Sequence, residues 1–411
     1  MPRDYPLDFI TDLKGVTGAR GPIGPTGLAG VLAATTDAAV GGWIGGAAAS
    51  VAKDAVAALV DTSVVRSLKT QFRSTDLPLI GYGDSYFTNG NQLTTINNIF
   101  FTQMGAQLGS PTVSNRGQGG SQMQDVAFSM IGEAGKVWAP TNSIVVLNAM
   151  INDAMFGQND APTLAGFKES LRSILRILRS ASRIEHTDSA CTLAGTWVLA
   201  SGSKFSGGSI TKSTTPGSTA TFTFSGVDRA SLLVYGFNAA GSGAVVDVSI
   251  NGAALYTNRS LSSIGAPSRN NMGYNYTPVV LEIPPLAGLG PHTVVITHKS
   301  GGSLALDCLL VPAYTPPTVV VGLAVQPTKL GWTTNGDSNS AAYDGPRIKF
   351  RDAIKEVAAE FPNDGKIILA DLARGWDSAV HLGADGLHPN DAGAASIARN
   401  FLLAMNAAAN P

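Results

Sequence analysis

Apolar and polar positions follow three different rhythms along this chain. In two stretches, short apolar runs alternate with segments of helical period. Residues 77–81 are apolar and lead into Gly83-Asp84-Ser85, which predicts a strand ending in a tight turn. Residues 91–108 predict a helix, and residues 111–114 an extended piece running into Asn115-Arg116-Gly117-Gln118-Gly119-Gly120. Residues 143–148 predict a buried strand followed by Asn152-Asp153. Over 163–182, Phe167, Leu171, Ile174, Leu175 and Leu178 form one stripe, with Arg172, Arg176, Arg179 and Arg183 on the other side, which predicts an amphipathic helix. The rhythm returns with a strand over 318–325, a helix over 346–360, a strand over 366–370 and a helix over 392–406 capped by Asn390 or Asp391. Such alternation predicts a parallel sheet with helices on both faces.

Between these stretches the helical period disappears. Residues 220–224, 231–235, 244–250, 279–283, 293–297 and 304–311 predict strands. Asn251-Gly252 is a tight-hairpin signal, and 300–303 is a second turn. The segment therefore predicts an all-β sandwich or jelly roll inserted into the α/β domain. Trp197, Tyr235, Tyr256, Tyr274 and Tyr276 fit either stacking on sugar rings or core packing.

The third rhythm lies near the start. Gly15, Gly18, Gly21, Gly24, Gly27 and Gly30 keep a strict period of three, with Pro22 and Pro25 each following a glycine. This is the collagen pattern, because only glycine fits the axis of three packed polyproline-II chains. After it, Val56, Leu59, Val60, Val64 and Leu68 fall at helical spacing. They suit either a trimer core or a helix packed on its own domain. The expected organisation is a trimerising stem over 1–75 with its collagen-like tract at 15–30, an α/β domain over 76–183 and 316–411, and the inserted β sandwich over 184–315.

Composition narrows the function. The 411 residues carry 28 Lys+Arg against 29 Asp+Glu, so the basic excess usual for nucleic-acid binding is missing. Two cysteines, Cys191 and Cys308, supply no zinc cage. They sit near the two ends of the insertion, as a disulfide or as two buried thiols. No secretory signal and no membrane-length apolar run is expected, so the sequence reads as soluble and not membrane-inserted.

The candidate chemistry stands at predicted strand ends, where open α/β sheets place their sites. Ser85 follows the first strand on a turn with glycine neighbours. A serine hydroxyl needs a base, and histidine as base needs an orienting carboxylate. Asp385 and His388, three residues apart before the last helix, supply both. Attack on an ester builds an oxyanion. The backbone N–H groups of Ser85 and Gly120 and the amide of Asn152 are candidate donors. His186, His292 and His298 are expected to be structural, and His381 a bystander or a pocket wall.

Gly83-Asp84-Ser85, the Asn115 to Gly120 turn, Asn152-Asp153 and Asp385 to His388 together resemble the four blocks of the SGNH (GDSL-type) hydrolases, in order. The resemblance covers about 78–183 and 316–405. It implies a flavodoxin-like sheet and metal-free hydrolysis of lipid or sugar esters, with no cofactor. It also implies Ser85 as nucleophile, His388 as base, Asp385 as its orienter, and Ser85, Gly120 and Asn152 as oxyanion hole. One departure is Met150 where the third block usually has glycine, which is expected to reshape the pocket floor.

With the collagen-like tract and the β insertion, the whole resembles a bacteriophage tail fibre or tailspike enzyme. That implies a virion-borne homotrimer, assembled with other phage tail proteins, that deacylates host cell-surface glycan. Two alternatives are a non-catalytic receptor-binding fibre using the hydrolase fold as a scaffold, and a free lipase-like enzyme.

Overall fold

The structure, a computed structural model, describes residues 77–88, 92–132, 142–156, 161–237, 239–262, 264, 276–312, 316–328, 331, 344–362 and 366–409. The collagen-like tract, the helical pattern of 56–68 and Tyr274 lie outside the described residues.

In chain order, β1 (Leu79–Gly83) leads through α1 (Phe100–Leu108) to β2 (Val113–Asn115) and α2 (Met123–Gly132). Next come β3 (Ile144–Asn148), α3 (Ile151–Phe156) and α4 (Ala161–Leu178). An antiparallel stretch follows: β4 (Ser180–Glu185), β5 (Cys191–Ala194), β6 (Val198–Ser201), β7 (Ser209–Ser213), β8 (Thr219–Phe224), β9 (Ala230–Phe237), β10 (Ala244–Ile250), β11 (Ala253–Ser260), β12 (Tyr276–Ile283), β13 (His292–Gly301) and β14 (Leu304–Pro312). The chain then continues through β15 (Thr318–Leu323), α5 (Asp344–Ala359), β16 (Ile367–Asp371), α6 (Ser378–His381) and α7 (Asp391–Ala409).

The parallel sheet runs β2-β1-β3-β15-β16. Counted within the sheet this is 2-1-3-4-5, the flavodoxin-like order, whose switch point lies between β1 and β3. β3 and β15 are fully buried runs of aliphatic residues. Both faces of such a sheet are covered by helices, so no polar face interrupts the pattern.

Two antiparallel sheets, β11-β10-β13-β8-β5 and β12-β9-β14-β7-β6 with β4 paired to β14, enclose a second core. Phe222, Val246, Val294 and Ile296 of one sheet face Leu232, Val234, Leu281 and Leu306 of the other. Each fully buried side chain of this kind contributes about 1.5–3 kcal/mol. The Asn251-Gly252 hairpin forms between β10 and β11, with both residues at positive φ (51° and 81°) as a type I′ turn requires.

One expected helix is shorter than its apolar stripe suggests. α4 stops at Leu178, and Arg183 lies on β4, where its Nε meets Glu185 at 2.6 Å. The cause is non-local: residues 180–185 pair with Cys308–Pro312, more than a hundred positions later.

The insertion leaves and rejoins the parallel sheet at the end where its strands begin. Thr318 opens β15 opposite Ile144, the first residue of β3. From there the sandwich lies along α4 and α2. Ser173 Oγ donates to the Pro278 carbonyl at 2.9 Å, Phe128 stacks on Tyr235 at 5.7 Å, and Gln124 donates to the Tyr276 carbonyl. At the far end of β12, Arg176 pairs with Glu282. β12 thus spans from the junction end up to the first turn of α2.

Candidate active site

The site begins with tight backbone packing at the end of β1. A side chain at Gly83 would bring a Cβ within 2.2 Å of the Asn148 carbonyl and 2.5 Å of the Phe87 ring, so only glycine lets β1 turn there. The turn is a single 3-10 helix, Ser85–Phe87, capped by Asp84, whose carboxylate accepts the Tyr86 N–H at 3.0 Å. That cap fixes Ser85 at the carboxyl end of β1, beside the switch point.

Asp84 is buried, and burial lifts its pKa to about 7 against the pull of N–H groups from Tyr86, Met150 and Ile151. Those last two donors tie the Ser85 turn to the segment after β3. The Met150 side chain is fully buried, and its backbone N–H bonds to Asp84.

The structure brings three separated residues into one hydrogen-bonded line. His388 Nε2 lies 2.9 Å from Ser85 Oγ, and His388 Nδ1 lies 2.6 Å from Asp385 Oδ2. Asp385 Oδ1 accepts the N–H groups of Leu387 and His388, each at 3.0 Å. Burial pushes the Asp385 pKa up, but these two N–H groups and the imidazole outweigh it and hold the carboxyl below its ordinary value. The loop itself needs Gly386, at φ 65°, where a Cβ would fall 1.9 Å from Thr328 Oγ1. Tyr86, one residue past the serine, donates its hydroxyl to the Leu387 carbonyl at 3.0 Å and sets its ring edge-on to His388.

Asn152, in the first turn of α3, is buried and donates through Nδ2 to the Ser121 carbonyl at 3.0 Å. Gly120, the residue before Ser121, holds φ 76° at the end of the turn after β2. An amide has two N–H donors, one of which Asn152 gives to Ser121. Asp153 caps α2 by accepting the Met123 N–H at 2.9 Å. Burial, together with the nearby charges of Asp125 and Asp84, lifts its pKa well above the ordinary value.

The other histidines are engaged elsewhere. His186, His292 and His298 are buried in the sandwich on the Asp307, Gly288 and Ser300 carbonyls. His381 stacks on Trp376 and accepts the Asp377 N–H. Tyr235, a candidate sugar platform in the sequence, is fully buried between Phe128 and Phe205, so it is a core residue. Trp197, Tyr256 and Tyr276 are half-buried against the sandwich. Cys191 and Cys308 are both free thiols.

Sequence reasoning passed over Asp84, Tyr86 and Asp153 as working parts. Asp84 and Asp153 stood inside recognised blocks, but nothing local signals that their carboxylates turn inward. Among the described residues one group has the makeup to ligate a metal: Glu185, Asp307 and Cys308, inside the sandwich and separate from Ser85. Also among the described residues, no helix is long and apolar enough to cross a membrane.

No protein-family model matches the chain, and no curated protein matches it. Solved structures similar to parts of it include an exo-β-1,3-galactanase from Phanerochaete chrysosporium, at 22% identity and TM-score 0.24, covering 32% of this chain and 29% of that one. A two-domain esterase active on acetylated mannans shares 10% identity at TM-score 0.32, over 61% of this chain and 96% of that one. A family 35 carbohydrate-binding module from Clostridium thermocellum shares 18% identity at TM-score 0.24, over 32% of this chain and 98% of that one. The chain therefore spans less than a third of the galactanase.

Proposed function

We propose that this chain is an SGNH-type serine ester hydrolase that removes acyl groups, acetyl above all, from a polysaccharide. The observation that carries the reading is the line Ser85 Oγ, His388 imidazole, Asp385 carboxylate at the carboxyl end of β1. In this reading Ser85 Oγ attacks the acyl carbonyl carbon while His388 Nε2 takes its proton. Asp385 holds the Nδ1–H tautomer and stabilises the imidazolium that forms. The N–H groups of Ser85 and Gly120 and the second N–H of the Asn152 amide receive the oxyanion, each such donor supplying about 3 kcal/mol. His388 then protonates the departing sugar oxygen. In the second half it takes a proton from water, which attacks the acyl-serine, and returns that proton to Ser85 Oγ as the carboxylic acid leaves. All of these steps use residues of this chain alone.

The polysaccharide half of the reading draws on the sandwich, which reaches the α2 end of the site through Tyr276 and Gln124. The glycine-period tract supports a trimeric, host-surface setting of the phage-tail kind. The test is hydrolysis of a chromogenic acetate ester by the full chain, followed by mass spectrometry of acetylated polysaccharide for a lost acetyl mass. An inactive chain that still binds the polysaccharide would favour the scaffold alternative.

A further inference from the structure

A cavity of about 510 Å³ opens at the seam between the sandwich and the α/β part, at the end opposite Ser85. Its position follows from strand polarity. Ser85 stands two residues past the end of β1, whereas this cavity is lined by Lys366 just before β16 and by Pro316 just before β15. One strand of five residues separates the two ends by roughly 17 Å.

The lining is unusual for this chain. Arg176, Arg179, Arg229 and Lys366 line it beside one lining carboxylate, Glu282, with Asp228 meeting Arg229 Nε at 3.2 Å from just outside, in a molecule whose formal net charge is −1. The dipole of α4 accounts for Arg176, in its last turn, and for Arg179, the residue just past its end. It does not account for Arg229, which precedes β9, or for Lys366, which precedes β16. Four cations from three separate elements therefore converge on one space. Arg176 is held in place, lying 4.0 Å over the Phe361 ring and paired with Glu282, and Arg179 Nη1 donates to the Pro317 carbonyl at 3.1 Å. Five prolines line the cavity, so its walls are rigid and mostly apolar.

We propose that this cavity binds a carboxylate-bearing segment of an acidic polysaccharide. Guanidinium groups match carboxylates in a two-pronged geometry, and rigid apolar walls match the C–H faces of sugar rings. The volume suits a small-molecule ligand rather than a bare ion, and sites of this kind favour seams between domains. That the ligand is a glycan rests on the polysaccharide-esterase reading. The experiment reads binding rather than hydrolysis, so failure of one leaves the other standing.

The test is calorimetric titration of the full chain with a galacturonate hexasaccharide, with neutral mannohexaose and inorganic phosphate as separate arms. The double variant Arg229→Glu/Lys366→Glu is titrated alongside, and its unfolding midpoint and small-ester hydrolysis serve as checks on the fold. The expected result is sub-millimolar binding of the galacturonate alone, weakening as salt rises. The variant should bind it at least tenfold more weakly with both checks unchanged. No binding of the galacturonate, or equal binding by the variant, overturns the proposal. Binding of phosphate without the oligosaccharide overturns it as well, since the cavity would then be only a small-anion site.

Discussion

Replacing Asp385 by asparagine keeps the size of the side chain and inverts the logic of the line. Asp385 Oδ1 accepts two backbone N–H groups at 3.0 Å, so in the variant the amide oxygen must occupy that position. The NH2 group then takes the place of Oδ2, 2.6 Å from His388 Nδ1. Two donors cannot share that contact, so the ring proton moves to Nε2. There it points at Ser85 Oγ, 2.9 Å away, and the imidazole donates where it must accept. Loss of the base through a wrong tautomer lowers kcat by about 10⁴, or roughly 5 kcal/mol of barrier. Asp385→Ala leaves the ring free to choose its tautomer, so it is expected to be no less active than Asp385→Asn. Initial rates on a chromogenic acetate ester, with active serine counted by a covalent phosphonate, give the comparison. An asparagine variant keeping more than a tenth of the native rate would refute the assigned geometry.

Ser85→Ala is expected to abolish hydrolysis with little change in unfolding midpoint, because Oγ contacts His388 and contributes little to the core. Asn152→Ala should lower kcat by about 10²-fold or more, and an effect confined to KM would point to ground-state binding instead. Asp84 gives a pH signature: its folded pKa of about 7 lies above its ordinary 3.8, so its contribution is full below 3.8 and is lost as pH rises through 7. Chemical denaturation across that range should therefore show stability declining with pH, with a shallower slope in Asp84→Asn. Light scattering of the full chain should give a trimer, and a chain beginning near Thr75 should not. Excising 186–314 should cost small-ester activity through misfolding, because Phe128 and the Pro278-facing side of α4 lose their cover.

Much of the site was legible because its blocks are short and sit at strand ends, where glycine and Asx residues mark the turn. That Ser85, Asp385 and His388 come together was read from that context and from the resemblance of the four blocks taken in order. The strand at 244–250 and its Asn-Gly turn were readable from local alternation alone. What escaped depends on partners far away in sequence. The end of α4 is set by β14; β5, β6 and β7 are only four or five residues long, and β11 is built of small and polar residues with little apolar alternation, so none announces itself. Tyr235 stayed open between sugar stacking and core packing because nothing nearby in sequence reveals that Phe128 covers it.

The joint between α4 and β4 is one residue long, Arg179, and its side chain is tied to the Pro317 carbonyl at the returning strand. A module on a flexible tether raises the local concentration of a bound polymer in every direction, by an amount set by linker length. A module fixed at such a joint does something narrower. On the proposed reading it would present a polymer along one line past Ser85, so that acyl groups at one spacing along the polymer would meet the serine and those at other spacings would pass it by.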